Sequence, residues 1–147
     1  LTNVEYGLCL AGLCSRAAWN PQTLPEIEVK QGDYTESFRV LAGALMNFPL
    51  GALPFQPGLK FEDLALSLQL IPYHSRLQAL SLVPRAKALA KEARIFRITD
   101  DTPVTLRVVN GERMPFFIDE DPLEAAQLTL RVAGSLPFIP GKNYQPN

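Results

Sequence analysis

The sequence is poor in the residues from which most catalytic and metal sites are built. It has one histidine, His74, and two cysteines, Cys9 and Cys14. On a helix the two thiols would project about 140° apart, so they could neither bridge each other nor share a metal ion. A usual zinc site needs three or four Cys, His or carboxylate ligands. The sequence therefore predicts neither a metal site nor a cofactor.

Short catalytic and phosphate-binding motifs are also missing. The chain has no Gly-x-Ser-x-Gly nucleophile motif and neither of the two common glycine-rich phosphate loops. Asp100-Asp101 and the acidic run at 119–121 could in principle hold a hard cation such as calcium or magnesium. Turn formation at Asp100-Asp101, and helix capping by Asp121, are the interpretations that the local sequence favours.

The sequence also lacks an excess of positive or negative charge, and it lacks long apolar runs. The net charge is −1, so no overall field attracts nucleic acid or anionic membranes. No apolar run reaches the ~18 residues that a membrane-spanning helix needs. Two unpaired thiols favour the reducing cytoplasm. A processed secreted or periplasmic chain is the alternative, because the first residue is Leu1 rather than Met.

What the sequence does contain is enough apolar material for one domain. Hydrophobic residues make up 47% of the 147 residues and charged residues 20%, as in ordinary globular proteins. The 13 prolines stand mostly between periodic segments, where they end elements and stiffen loops. We expect a single domain over residues 1–133, followed by an extended proline-rich tail over residues 134–147.

The periodicity predicts an α+β fold, with an antiparallel or mixed sheet and two to three helices packed on one face. Helices are expected over residues 2–19, 32–48 and 84–93, the second capped by Asp33. Strands are expected over residues 26–30, 64–70, 95–98, 104–109, 113–118 and 128–132, and residues 75–83 fit neither period. Asn110-Gly111 predicts a late β-hairpin between the strands at 104–109 and 113–118. Asp121-Pro122 predicts the start of one or two helical turns.

The middle of the chain resembles a known kind of module. Gly32-Asp33-Tyr34, followed by apolar positions at helical spacing and then the leucine strand 64–70, is similar to the helix-then-strand unit of small ferredoxin-like modules in pilus and secretion assembly platforms. The resemblance covers less than a third of the chain and implies a ferredoxin-like arrangement there. It transfers no functional residue.

Three segments carry the candidate contact residues. Tyr73 and His74 follow the strongest predicted strand, where ligand-binding loops often lie. A basic stretch at 76–97 could bind phosphates or an acidic partner, or form the solvated face of a helix. In the tail, Phe138 and Tyr144 could add to a partner's sheet edge or pack on their own domain. The candidate ligand or partner contacts are Tyr73, His74, Arg76, Arg85, Lys87, Lys91, Arg94, Phe138 and Tyr144.

Taken together, the absences favour a non-catalytic protein-interaction or assembly module, with a protein partner or self-association. One alternative is a small enzyme or small-molecule-binding domain with a pocket near His74, where a nucleophilic pair would have to use that histidine. A second alternative is nucleic-acid binding through residues 76–97. That stretch has no aromatic stacking platform except Phe96, which weakens the case for nucleic acid.

Overall fold

The fold is built on one six-stranded antiparallel β-sheet. The computed structural model describes residues 15, 18–46, 65–81, 92–111, 113–118 and 121–134. The elements are a 3-10 turn (Pro21–Thr23), β1 (Glu26–Gln31), β2 (Tyr34–Met46), β3 (Leu66–Pro72), α1 (Arg76–Ser81), β4 (Arg94–Ile98), β5 (Val104–Val108), β6 (Met114–Ile118), β7 (Asp121–Ala125) and β8 (Gln127–Leu130). The strand order is β4-β3-β2-β1-β5-β8, and β6 and β7 form a separate antiparallel pair.

The predicted α+β class, with two to three helices packed on one face of a sheet, is wrong. In the described ranges α1 is the one complete α-helix, and it has six residues. The predicted helices at 2–19 and 84–93 lie almost entirely outside those ranges, although Ser15, Ala18 and Trp19 are helical. Since residues 34–46 of the predicted helix at 32–48 form strand β2, the ferredoxin-like arrangement is wrong too.

Strand β2 was mistaken for a helix because a β-bulge imitates helical spacing. Residues 34–40 have even-numbered side chains on the inner face of the sheet, paired with β1. The register shifts between Val40 and Ala42, so Leu41 is the extra residue and the inner face changes from even to odd positions. Phe38 and Leu45 consequently both fall on the inner face, with Leu41 between them. Their separations of three and four are those of an amphipathic helix.

A two-residue hairpin turn at Gly32-Asp33 joins β1 to β2. Gln31 pairs with Tyr34, which leaves a two-residue turn, and Gly32 has a φ of 58°. Glycine tolerates this left-handed conformation without the steric cost that a Cβ brings. A Gly-Asp pair between strands is a known hairpin signal. Assigning Asp33 as a helix cap therefore hid the turn.

All six strand predictions are confirmed as strands. They correspond to β1, β3, β4, β5, β6 and β8, with bounds that differ by at most two residues. In β3 the inner residues Leu68 and Leu70 pair with positions on both β2 and β4, and Leu66 pairs with Ile98 of β4. A period-two pattern identifies a strand well when both neighbours are strands.

The prediction of a β-hairpin at Asn110-Gly111 is wrong, although strands do lie on both sides of these two residues. Both edges of β5 are occupied, by β1 and β8, so β6 pairs with β7 instead. The Asn110 side chain continues the β1–β5 ladder: its Oδ1 accepts the Glu26 N–H at 2.6 Å and its Nδ2 donates to the Leu24 carbonyl at 2.9 Å. The predicted helical start at Asp121 is also wrong, since Asp121 begins β7.

Replacing Asn110 with aspartate should destabilise the fold. Asn110→Asp keeps the shape but loses the donor to the Leu24 carbonyl and sets two oxygens against each other. We expect the free energy of unfolding to fall by about 1–2 kcal/mol in urea denaturation. Asn20→Asp is the matched control, because the Asn20 side chain makes no capping hydrogen bond. Equal effects of the two substitutions would contradict the role assigned to Asn110.

The sheet curls so that its two halves face each other across one core. The fully buried side chains of β1 and β5, such as Val29 and Val104, belong to the same cluster as Leu68 of β3 and Ile98 of β4. The open seam between β4 and the β1–β2 hairpin is bridged by Gln31. Its Nε2 donates to the Arg97 carbonyl at 2.7 Å and to the Thr102 carbonyl at 3.3 Å. The side chains of the hairpin therefore close the seam instead of a backbone ladder.

Across the described ranges, no helix has both the length and the apolar character that crossing a membrane requires.

Candidate protein-interaction surface

Helix α1 begins immediately after β3 because Ser75 caps it. The Ser75 Oγ accepts the Gln78 N–H at 3.1 Å, and the Ser75 carbonyl accepts the Ala79 N–H at 3.1 Å. The Gln78 Oε1 accepts the His74 N–H at 2.8 Å. Ser-x-x-Gln is the spacing of a capping box, here displaced by one residue. The cap fixes the point at which the chain leaves the sheet, and so places His74 at the surface.

The Gln78 amide also ties the helix to the sheet. Its Nε2 donates to the Pro72 carbonyl at 3.0 Å and to the Glu92 carboxylate at 3.3 Å. Pro72 is the last residue of β3, and Glu92 stands two residues before β4. The orientation of this short helix is therefore held by hydrogen bonds as well as by packing.

The inner side of α1 packs on a small apolar cluster. Ala79 is fully buried and lies in one cluster with the buried Ala18, against which Tyr73, Leu24 and Leu41 also pack. Leu41 is the bulged residue of β2. The β-bulge that shifts the inner face of β2 thus also directs the Leu41 side chain into the cluster beneath α1.

The opposite side of α1 presents apolar side chains to solvent. Leu77 is 78% exposed and Leu80 is 53% exposed, and the two lie about 60° apart on the helix. Trp19, the neighbour of Ala18, is 81% exposed. Arg76 is exposed and shares the helix face with Leu80, four residues on. We refer to Trp19, His74, Arg76, Leu77 and Leu80 as the α1 surface.

Three of the predicted contact residues belong to this region. His74 and Arg76 lie on the α1 surface, and Tyr73 is half-buried beneath it. Arg94 is elsewhere, on β4. The other predicted contacts lie outside the described residues: Arg85, Lys87, Lys91, Phe138 and Tyr144.

Arg94 is engaged in an ion pair beside the seam. Its Nε and Nη2 donate to the two oxygens of Glu36 at 3.2 and 3.3 Å. The Tyr34 hydroxyl donates to the same carboxylate, and the Tyr34 ring lies 5.9 Å from that of Phe96. The Arg94 guanidinium therefore stabilises the β2–β4 contact at this end of the sheet.

The pKa values of this cluster follow from its hydrogen bonds. The Tyr34 hydroxyl, followed by the Arg94 guanidinium, lowers the pKa of Glu36. The hydrogen bond to Glu36 raises the pKa of Tyr34 and that of Arg94. Because the pKa of Glu36 is lower in the folded chain than in the unfolded chain, the ionised Glu36 stabilises the fold at pH values above the ordinary carboxyl pKa. This stabilisation is lost as the pH falls through the lowered pKa of Glu36. The effect is small, since the Arg94 side chain is 49% exposed.

The apolar members of the α1 surface were missed by sequence reasoning. Leu77 and Leu80 fell in the segment 75–83, whose leucines fit neither a helix nor a strand period. That misfit was itself a signal, because side chains that face solvent need not follow the periodicity of the core. Trp19 was assigned to the predicted helix at 2–19 and was not among the candidate contact residues.

His74 is the residue on which the catalytic alternative depends. It is exposed, and its backbone N–H donates to the Gln78 Oε1. Cys9 and Cys14, the two cysteines that could supply a thiol nucleophile to pair with it, lie outside the described residues. No three His, Cys, Asp or Glu side chains within the described ranges are grouped so that they could hold a metal ion.

The comparisons with known proteins assign no family: no family model matches the chain, and no curated protein sequence matches it.

Proposed function

We propose that this chain is a non-catalytic protein-interaction module that binds a partner protein through the α1 surface. The observation that supports the proposal is the exposure of Trp19, Leu77 and Leu80 around one buried helix contact. Exposed apolar side chains grouped together mark interaction sites more often than isolated ones do. Tryptophan in particular is enriched among residues that dominate binding energy.

The chemistry of the surface defines the kind of partner. The exposed face of α1 has one charged side chain, Arg76, and the first turn of the helix has no acidic residue. Arginine forms bidentate hydrogen bonds with carboxylates. The complementary partner is a protein with an apolar hollow for Leu77 and Trp19, bordered by a carboxylate that faces Arg76. The two cysteines favour a cytoplasmic partner.

Paired substitutions test the proposal. We expect Leu77→Ser with Leu80→Ser to weaken partner binding at least tenfold, because both lost side chains are apolar contacts at the centre of the surface. Ile95→Ser is the matched control, since Ile95 is an exposed apolar residue on a strand, at 44%. Proteins retained by the wild-type chain, the double variant and the control are to be quantified from the same native extract.

Trp19 provides an independent measurement, because it is the only tryptophan in the chain. Titration with the purified candidate partner should shift its fluorescence to shorter wavelength and protect it from acrylamide quenching. Equal retention by the double variant and the wild type, or unchanged Trp19 fluorescence at saturation, would show that the α1 surface is not the binding site.

A further inference from the structure

The outer edge of β8 has backbone groups that point away from the sheet. In the strand order β8 stands at one end, beside β5. The Val108 N–H donates to the Ala126 carbonyl at 2.9 Å. Hydrogen-bonded and non-bonded pairs alternate along an antiparallel ladder, so the Leu106–Leu128 and Val104–Leu130 pairs are the bonded ones. The N–H and C=O groups of Gln127 and Thr129 therefore point outward.

In its sequence this edge lacks two of the features that usually protect an edge strand. Residues 127–130 contain no charged residue and no proline. Their side chains alternate, with Gln127 and Thr129 exposed and Leu128 and Leu130 half-buried. The two leucines pack at the margin of the main core. A strand added beyond β8 would cover them and complete the core at this side.

We propose that this edge pairs with the β8 of a second copy of the chain, antiparallel and about a two-fold axis at Thr129. The sequence Gln127-Leu128-Thr129-Leu130-Arg131 has the same alternation when read from either end. Leu128 of one copy lies opposite Leu130 of the other, which extends the core across the axis. The two Thr129 residues face each other, and Gln127 faces Arg131, so no like charges are opposed.

The symmetry of the segment is what selects a second copy over an unrelated strand. A two-fold interface brings the same surface of both copies together, so the surface must be complementary to itself. The residues on either side of Thr129 meet this requirement, because positions equally far from Thr129 are alike in polarity and in size. Their backbone groups also point to the same side of the strand. The pairing uses β8 and not the α1 surface, so the dimer and the proposed function are independent hypotheses that separate experiments test. Because four residues bury little area, we expect a dissociation constant between about 10 μM and 1 mM.

Thr129→Pro tests the backbone pairing, and Thr129→Ala is its control. The proline removes an N–H that points outward, so no backbone bond to β5 is lost, whereas alanine keeps the N–H. Both substitutions remove the Thr129 Oγ1, which lies 3.3 Å from the Thr105 Oγ1 of β5, so the alanine variant controls for that loss. We expect sedimentation equilibrium of the full chain to show a dimer whose dissociation constant rises at least tenfold in the proline variant. In the alanine variant it should change by less than about threefold.

A second pair of variants covers the case in which the proline variant loses its strand signal in circular dichroism. Thr129→Lys places two like charges at the axis, while Thr105→Lys puts the same charge on the neighbouring strand, where Thr105 faces Thr129. Only the first should weaken the dimer. A wild-type chain that stays monomeric up to about 1 mM would overturn the proposal. So would a dimer that these substitutions leave unchanged. If the full chain is monomeric and the chain ending at Gly134 dimerises, residues 135–147 cover this edge in place of a second copy.

Discussion

Ile98→Ala should lower the free energy of unfolding by about 2–4 kcal/mol, the range for removing a fully buried branched side chain. Ile98 is completely buried and is among the largest side chains that are. It lies on β4 opposite Leu66 and belongs to the cluster that joins β3 and β4 to β1 and β5. The substitution therefore leaves a cavity where the two halves of the curled sheet meet.

Ile95 provides the control on the same strand. It differs from Ile98 in facing outward, where it is 44% exposed. Ile95→Ala has the same loss of atoms and a similar change in strand propensity, so we expect it to cost less than about 1 kcal/mol. Urea denaturation of both variants gives the comparison. Similar losses for the two would mean that the inner face of β4 is not packed against β1 and β5.

The strands were predictable where one physical signal dominated. Leu66, Leu68 and Leu70 alternate without interruption, and the alternation identified β3 and its buried face. Ile27 and Val29 gave β1 in the same way, with the ion-paired Glu28 facing outward. In both strands the burial pattern follows from the two-residue period of the backbone alone.

The rest of the fold, namely β2 and the pairing of β5, depended on information that local periodicity does not contain. The bulge at Leu41 changes the phase of β2, and a change of phase in a strand is indistinguishable from part of a helical pattern. The partner of β5 was misassigned because pairing is a competition among strands distant in sequence. Asn110-Gly111 permits a turn, but β1 and β8 occupy both edges of β5.

The candidate site was predictable only in its location. Tyr73 and His74 were selected because they follow a strong strand, and the structure places both beside α1. Leu77 and Leu80 are exposed because of the orientation of a six-residue helix on the sheet. That direction is set by the Gln78 hydrogen bonds and the burial of Ala79, which are tertiary features.

Gln69 occupies a buried position where an apolar residue should be more stable. It is 1% exposed at the centre of β3, between Ala44 and Ile95 on the neighbouring strands. Its Nε2 makes one long hydrogen bond, 3.4 Å to the Ser67 Oγ. In the described part of the chain its Oε1 is the buried side-chain oxygen without a hydrogen-bond partner. Such an atom loses its hydration and gains nothing in return.

Gln69→Leu should therefore raise the free energy of unfolding by about 1–2 kcal/mol, since it removes the unpaired oxygen and keeps most of the volume. Gln69→Glu is the matched variant of opposite sign. It has the same shape but buries an unpaired carboxylate, so we expect it to lower the free energy of unfolding by about 2 kcal/mol or more. Thermal and urea denaturation at neutral pH measure both. A loss of stability in Gln69→Leu would instead show that the oxygen is bonded in solution, to a buried water held between β3 and the layer that covers it.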